Sequence, residues 1–325
     1  MKSIIILIDY FGKWPEWMPV FLASCEANPT VNWLFHTDCP IPEKHPSNVS
    51  FVSISFLDYC QHVSDVLKIS FKPQDSYKIC DIKPARGVLY ADEIKNYDYY
   101  GYGDLDVIYG NIRKFFIDDV LVVNYISTGN DVATGHFSLF KNKDWIRKSF
   151  YRCHDWKEKM ENPVYLGLDE IELRQVFSIP EFIMKCKKMF KFKFFYIPIV
   201  KLLELVYLKR IKYWKNNYCV EQYTTPFINM PWIDGTMNHP DVWYWEKGKL
   251  TNNLDGNREF LYLHFMNFKS SKYIYHEAFG LDAPWEKLSK LLNFDLKDIN
   301  IGCVRIDKQG FHLEPSKMIN KKISR

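Results

Sequence analysis

Asp104 and Asp106, two aspartates separated by one apolar residue, lie in the run YYGYGDLDVIYGN (residues 99–111). In an extended segment, residues two apart point to the same side. The two carboxylates would then repel each other, and no neighbouring cation in the sequence neutralises them. A divalent cation relieves that repulsion. Mg2+ or Mn2+ is commonly held by one or two carboxylates together with substrate phosphates, so the pattern fits an enzyme that holds a metal–diphosphate. D-x-D also arises by chance as a polar loop with two solvated acids. Position favours the chemical reading here: the pair sits at a predicted strand end, inside an apolar run. Among diphosphates a sugar nucleotide fits best, because a metal there offsets the charge that builds on the departing group. No G-x-x-x-x-G-K-[ST] occurs, which argues against a P-loop nucleotidase, and no G-x-G-x-x-G follows a strand.

The elements that must position these acids follow from periodicity. SIIILIDYF (3–11), VNWLFHTD (31–38) and NVSFVSISF (48–56) read as strands. WPEWMPVFLASCEANP has Pro near its start and Asn-Pro at its end, as a helix would. FLDYCQHVSDVLKI and KPARGVLYADEIKNY read as further helices, and YDYYGYGDLDVIYG returns the chain to the sheet. TGHFSLFKN is predicted as a strand and DWIRKSFYRCHDWKEKM as a helix. Alternation of this kind predicts right-handed crossovers and an α/β fold with a mixed, mainly parallel sheet flanked by helices. Ligands of such sheets sit at the carboxyl ends of the strands. Asp9-Tyr10, Thr37-Asp38 and the D-x-D pair all fall at such ends.

Four stretches together carry a resemblance: YFGKWPEWMPVFLASCEANPTVNWLFHTD, YKICDIKPARG, YDYYGYGDLDVIYGNIRKF and TGHFSLFKN. As a set they resemble GT-A-type glycosyltransferases of bacterial polysaccharide biosynthesis, the enzymes of O-antigen and capsule assembly. The likeness covers roughly residues 1–180 and returns near FLYLHFMNFK. It implies a GT-A-like, Rossmann-like fold, a UDP-sugar donor and a Mn2+ or Mg2+ cofactor. Carried over by position, it implies that Tyr10, Phe11 and Gly12 lie beside the base and ribose, and that Asp38 approaches the base edge. Asp81 and Lys83 would sit near the sugar-diphosphate. Asp104 would contact ribose or metal, and Asp106 would ligate the metal. His264, after a predicted strand, would complete the metal site, and Lys269 would meet the diphosphate. The competing reading of His264 is a satisfied core histidine. In YLGLDEIEL, Asp169 and Glu170 are candidates to take or position the acceptor's proton, against the reading that they are acids favoured at a helix N-terminus. His136 would touch the acceptor, or merely close its strand.

The wider composition sets limits. The chain has 325 residues, 47% of them hydrophobic and 17% aromatic, enough for a sizeable core. A net charge of +4 is too weak to imply nucleic acid, and no nucleic-acid motif occurs. Eight cysteines without a C-x-x-C pair read as reduced, mostly buried thiols of a cytoplasmic protein. MKSIIILIDYFG reads as a first strand rather than a signal peptide, and no apolar run is long enough to span a membrane. Three regions are expected: a nucleotide-sugar-binding core over 1–180, a basic amphipathic helical segment over 181–217, and a part over 218–325 that completes the active site. The middle segment has ten Lys or Arg and one acid, Glu204, between Lys185 and Lys215. It reads as plain core, or as a peripheral contact with the anionic inner membrane, where a lipid-linked acceptor would reside. Two rival functions remain: a metal-dependent phosphohydrolase or nucleotidyltransferase, and a non-catalytic glycan-binding module in which Trp14, Trp17, Trp232, Trp243 and Trp245 stack on sugars.

Overall fold

The first strand, β1 (Ile4–Tyr10), is apolar on both faces and sends alternate residues to two different cores. Ile4, Ile6 and Ile8 join one cluster and Ile5 and Leu7 the other. That is the pattern of a strand covered on both sides. A computed structural model describes residues 1–129, 133–177, 209–269 and 302–316, with 201, 202, 205 and 299. β2 (Val31–Thr37), β3 (Val49–Ser53), β4 (Tyr99–Gly103), β6 (Tyr125–Ser127) and β7 (Phe137–Lys141) complete a six-stranded sheet in the order β3-β2-β1-β4-β7-β6. Pairing is parallel from β3 through β4 and antiparallel across β7 and β6. The fold is therefore mixed α/β, with a mostly parallel central sheet.

Helix α1 (Met18–Glu26) covers one face. Pro19 sits in its first turn, where the missing N–H costs nothing. Beyond its C-terminus, Asn28 donates to Ser24 O and Gly110 O and accepts from Ile112 N. Helix α2 (Phe56–Leu67) covers the other face. Ser55 caps its start by accepting from Asp58 N, and Lys68 ends it in the left-handed region at φ 56°. Its buried residues, Tyr59, Cys60, Val63 and Leu67, form one helical stripe.

Two sequence expectations about helices change. KPARGVLYADEIKNY is not one helix: a 3-10 helix over Ser76–Ala85 runs into a single α-turn, Arg86–Leu89, and then turns. Pro84 lacks the N–H that a continuous α-helix needs. DWIRKSFYRCHDWKEKM breaks into an α-turn at Asp144–Arg147, a 3-10 helix at Lys148–Arg152 and a helix at Trp156–Glu161. Asp155, left-handed at φ 51°, marks the second break.

The run YDYYGYGDLDVIYG forms two strands, with the acids between them. β4 stays in the main sheet, while β5 (Val107–Tyr109) leaves it to pair antiparallel with β10 (Tyr262–His264). Asp104 and Asp106 therefore occupy the turn between two sheets. A third sheet, ordered β12-β11-β8-β9, contains β8 (Val242–Glu246), β9 (Lys249–Asn252), β11 (Cys303–Asp307) and β12 (Gly310–Glu314). Its Trp243, Trp245, Val304 and Ile306 share the core of α1 and β1. The tryptophans Trp232, Trp243 and Trp245 are buried, so sugar stacking is not their job. Seven described cysteines are free thiols. Most of the basic run 181–217 lies outside the described residues. Of its end, Trp214 is buried and Tyr213 donates to Phe115 O at 2.6 Å. Among the described residues no helix is long and apolar enough to cross a membrane.

Candidate active site

Beneath the carboxyl end of β1 lies a buried ionic knot. Asp9 accepts from Arg86 Nε at 2.8 Å, Tyr59 OH at 3.0 Å and Tyr90 OH at 2.9 Å, and lies 3.2 Å from His36 Nδ1. Burial alone would raise the Asp9 pKa, but Arg86 and His36 outweigh it and hold the carboxyl at about 2. Arg86 also donates to Leu7 O, so the knot ties β1 to α2 and to the Ser76–Leu89 segment. It fixes the floor of the cleft above it.

Past β1 the chain makes a loop that Gly12 permits, at φ +104°. Asp38, at the end of β2, accepts from Gly12 N at 2.7 Å. Tyr10 stacks on Trp14 at 5.4 Å. Trp17 donates from its indole to Leu105 O at 2.8 Å, which pins the D-x-D turn to the start of α1.

The turn does not present its acids as one pair. Asp104 meets Lys83, Oδ1 to Nζ at 2.6 Å, and Asp106 meets Lys269, Oδ2 to Nζ at 2.6 Å. The expectation of two mutually repelling carboxylates is corrected: each has its own lysine, one from the Ser76–Ala85 helix and one following β10. Lys83 is buried, and its Nζ donates also to Gly135 O at 3.1 Å and lies 3.6 Å from Asp169 Oδ2. Burial disfavours the charged amine, yet Asp104, Cys80 and Asp169 overcome this and raise its pKa well above the ordinary value. Burial likewise pushes Asp106 up, and Lys269 and His264 hold it well below the usual carboxylate range.

Opposite Lys83, Asp169 is the second residue of a single π-helical turn, Leu168–Glu172. It is 2% exposed. Burial, only partly offset by Lys83, raises its pKa to about 7. Tyr165 OH donates to its Oδ1 at 2.9 Å. Gly135 is required beside it: a Cβ there would stand 2.6 Å from Asp169 Oδ2 and 2.8 Å from Glu170 Oε1.

A second group adjoins the turn. The β5–β10 register sets His264 opposite Val107, and Phe265 N donates to Asp106 O at 3.0 Å. His264 Nε2 thereby comes within 3.7 Å of Asp106 Oδ2. His136, just before β7, stacks on His264 at 4.0 Å. Burial, then the neighbouring His264, depress the His136 pKa well below the ordinary imidazole value. Glu221 completes the group, its Oε1 lying 3.9 Å from His136 Nδ1. Burial raises the Glu221 pKa.

The D-x-D turn with its lysines, Asp169 and this second group face one cleft of about 650 Å3. Of the residues singled out by sequence, Tyr10, Phe11, Lys83, Asp104, Asp106, His136, Asp169, Glu170, His264 and Lys269 line it. Asp81 is corrected: it is fully buried, takes Lys78 Nζ at 2.7 Å, and accepts from Leu166 N and Leu168 N. It braces the wall that presents Asp169. Gly12 and Asp38 shape the loop beside the cleft, through the bond they share. Sequence reasoning missed Arg86, Tyr165 and Glu221. Arg86 stands within YKICDIKPARG and Glu221 follows the basic segment, and neither has a local pattern to mark it.

The model of the "Family of unknown function (DUF6625)" matches residues 5–279. Comparison with curated proteins finds no match. Among solved structures, the chain is similar to the glycosyltransferase GlyE of Streptococcus pneumoniae TIGR4, at 14% identity with a TM-score of 0.24. Its apo form gives 14% and 0.25. In both cases 52% of this chain and 41% of that one are covered, so the chain spans about two fifths of that enzyme's length.

Proposed function

The chain belongs to that family of unknown function, and we propose that it is a glycosyltransferase, taking a sugar from a nucleoside diphosphate sugar, a UDP-sugar in the first instance, passing it to a glycan acceptor and releasing the nucleoside diphosphate. One observation carries the reading. Two lysines from distant parts of the chain, Lys83 and Lys269, meet the two acids of one D-x-D turn in a cleft at the carboxyl ends of β1 and β4. A cleft of about 650 Å3 matches a nucleotide sugar in size. Fixed cations in a water-poor site stabilise charge that develops on a leaving group. Tyr10, Phe11 and Trp17 give one end of the cleft the aromatic surface that a base and ribose need. Asp169 supplies the proton acceptor: its pKa of about 7 is the value at which a general base is half ready at neutral pH.

The reading includes a divalent ion, Mn2+ or Mg2+, which would share the charge of the diphosphate when bound. His264 and Asp106 fit it, since the 3.7 Å between them is too long for a hydrogen bond and short enough for a common cation. Both acids of the turn carry a lysine, Lys83 on Asp104 Oδ1 and Lys269 on Asp106 Oδ2, so Asp106 would share its charge between Lys269 and the ion.

The test is a binding series with uridine, UMP, UDP and a UDP-sugar, with and without Mn2+, read by calorimetry. UDP should bind at least about tenfold more tightly than uridine, and Lys83→Met should remove that difference, the loss expected for one buried charge-assisted contact. Equal affinity for uridine and UDP, or no binding of any nucleotide, would sink the proposal.

A further inference from the structure

We propose that the cleft contains a preformed transition-metal centre built by His136, Glu221 and His264, with Asp106 on its open side. The three residues come from separate segments: before β7, from a short 3-10 helix (Glu221–Tyr223), and from the end of β10. Each offers one donor atom, and these atoms all lie within 4.8 Å of one another. The gaps are the size of an ion. His136 Nδ1 is 3.9 Å from Glu221 Oε1, and His264 Nε2 is 3.7 Å from Asp106 Oδ2. Neither distance is a hydrogen bond. Two donors bound to one ion at about 2.0–2.2 Å stand roughly 3–4 Å apart.

The remaining nitrogens of both histidines are already taken. His136 Nε2 is hydrogen-bonded to Tyr262 OH at 2.8 Å, and His264 Nδ1 to Thr225 Oγ1 at 3.2 Å. A metal-binding histidine is commonly held in this way, its second nitrogen fixing ring orientation and tautomer. Tyr262 is itself anchored, its OH 2.6 Å from Thr128 Oγ1. Both imidazoles thus turn their unbonded nitrogen toward a carboxylate. Lys269 accounts for the position of Asp106, its Nζ 2.6 Å from Oδ2, whereas Glu221 faces the histidines with no lysine or arginine paired to it among the described residues. A cation explains the spacing, and two imidazoles with carboxylate oxygens favour a transition metal over Mg2+, which prefers oxygen alone.

This deepens the sugar-nucleotide reading but does not depend on it, because the ion is held by the protein before any donor arrives. The test therefore uses metal alone. Chelator-treated full-length protein is titrated with Co2+, following its visible absorption and the heat of binding. One ion per chain is expected, with Mg2+ at about hundredfold excess failing to displace it. Glu221→Gln and His136→Asn should each weaken binding by about tenfold or more, and Tyr262→Phe by about tenfold through the ring it orients. Asp104→Asn should bind within about twofold of the parent. Melting of the metal-free variants checks folding. Should His136→Asn fail to fold, Glu221→Gln carries the test, since that side chain is 31% exposed. Absence of stoichiometric Co2+ binding overturns the proposal. So does a loss in Asp104→Asn equal to that in Glu221→Gln, which would return the ion to the D-x-D pair. UDP binding by metal-free protein addresses the sugar-nucleotide reading separately.

Discussion

At the scale of single residues, Asp169 makes the sharpest claim. Its native pKa of about 7 stands above the ordinary 3.8, so the folded protein holds a proton there that the unfolded chain releases. Stability from this group is fully present below about pH 4, falls as pH rises to about 7, and is flat beyond. Roughly three pKa units amount to as much as about 4 kcal/mol. Catalysis runs the other way, since only the carboxylate accepts a proton: kcat/KM should rise with pH through about 7. Asp169→Asn should flatten the stability profile over that window and lower turnover by about 100-fold or more. A variant that keeps the rising rate profile would show that another group is the base. The D-x-D pair, by contrast, was misleading as geometry. Sequence shows that no cation adjoins Asp104 or Asp106. It cannot show that Lys83 and Lys269, some twenty and 160 residues distant, fold onto them.

At the scale of elements, the turn between β4 and β5 decides where the site lies. The sequence places the acids at a strand end, but nothing local shows that the Val-Ile-Tyr after them joins a different sheet. Long-range partners decide that. β4 is claimed by β1 and β7, and β5 by β10, which comes more than 150 residues later. Strands β1 to β3 and helices α1 and α2 were legible because their periodicity and caps are local. The 3-10 segments were not, since proline and the left-handed Asp155 break patterns that otherwise look helical. The same element logic gives a prediction at Gly135. Its missing side chain lets the β7 approach lie against the Asp169 turn, while its carbonyl accepts from Lys83. Gly135→Ala should displace both acids, cost about 1–3 kcal/mol by overpacking, and reduce turnover more than nucleotide affinity. Thermal melting with steady-state kinetics reads all three. An alanine variant with parental kinetics would separate that close approach from the chemistry.

At the scale of the whole molecule, the core and cleft join early and late parts of the chain. Residues from Ile4 to Phe311 share one apolar cluster, so the boundaries expected at 180 and 217 do not mark separate cores among the described residues. The described part of the basic-aromatic run is divided. Trp214, at its end, is held in the core, and Arg210 lies 5.7 Å from the Tyr125 ring. Leu202 and Leu205, by contrast, are 63% and 65% exposed, one helical turn apart, beside Lys201. Exposed leucines among lysines suit an anionic bilayer surface better than water. Each engaged cation adds about 1 kcal/mol at best, fading within a Debye length of roughly 10 Å at moderate salt. A few together would hold the protein reversibly at such a surface. Co-sedimentation with vesicles should therefore require anionic lipid and fall steeply with added salt. Replacing Leu202 and Leu205 by Ser should weaken the salt-resistant part of that binding while leaving UDP affinity unchanged, because neither residue lines the cleft. Equal recovery with neutral and anionic vesicles at low salt would assign the lysines to ordinary solvation, and a loss of UDP affinity in the serine variant would tie the segment to the donor site instead.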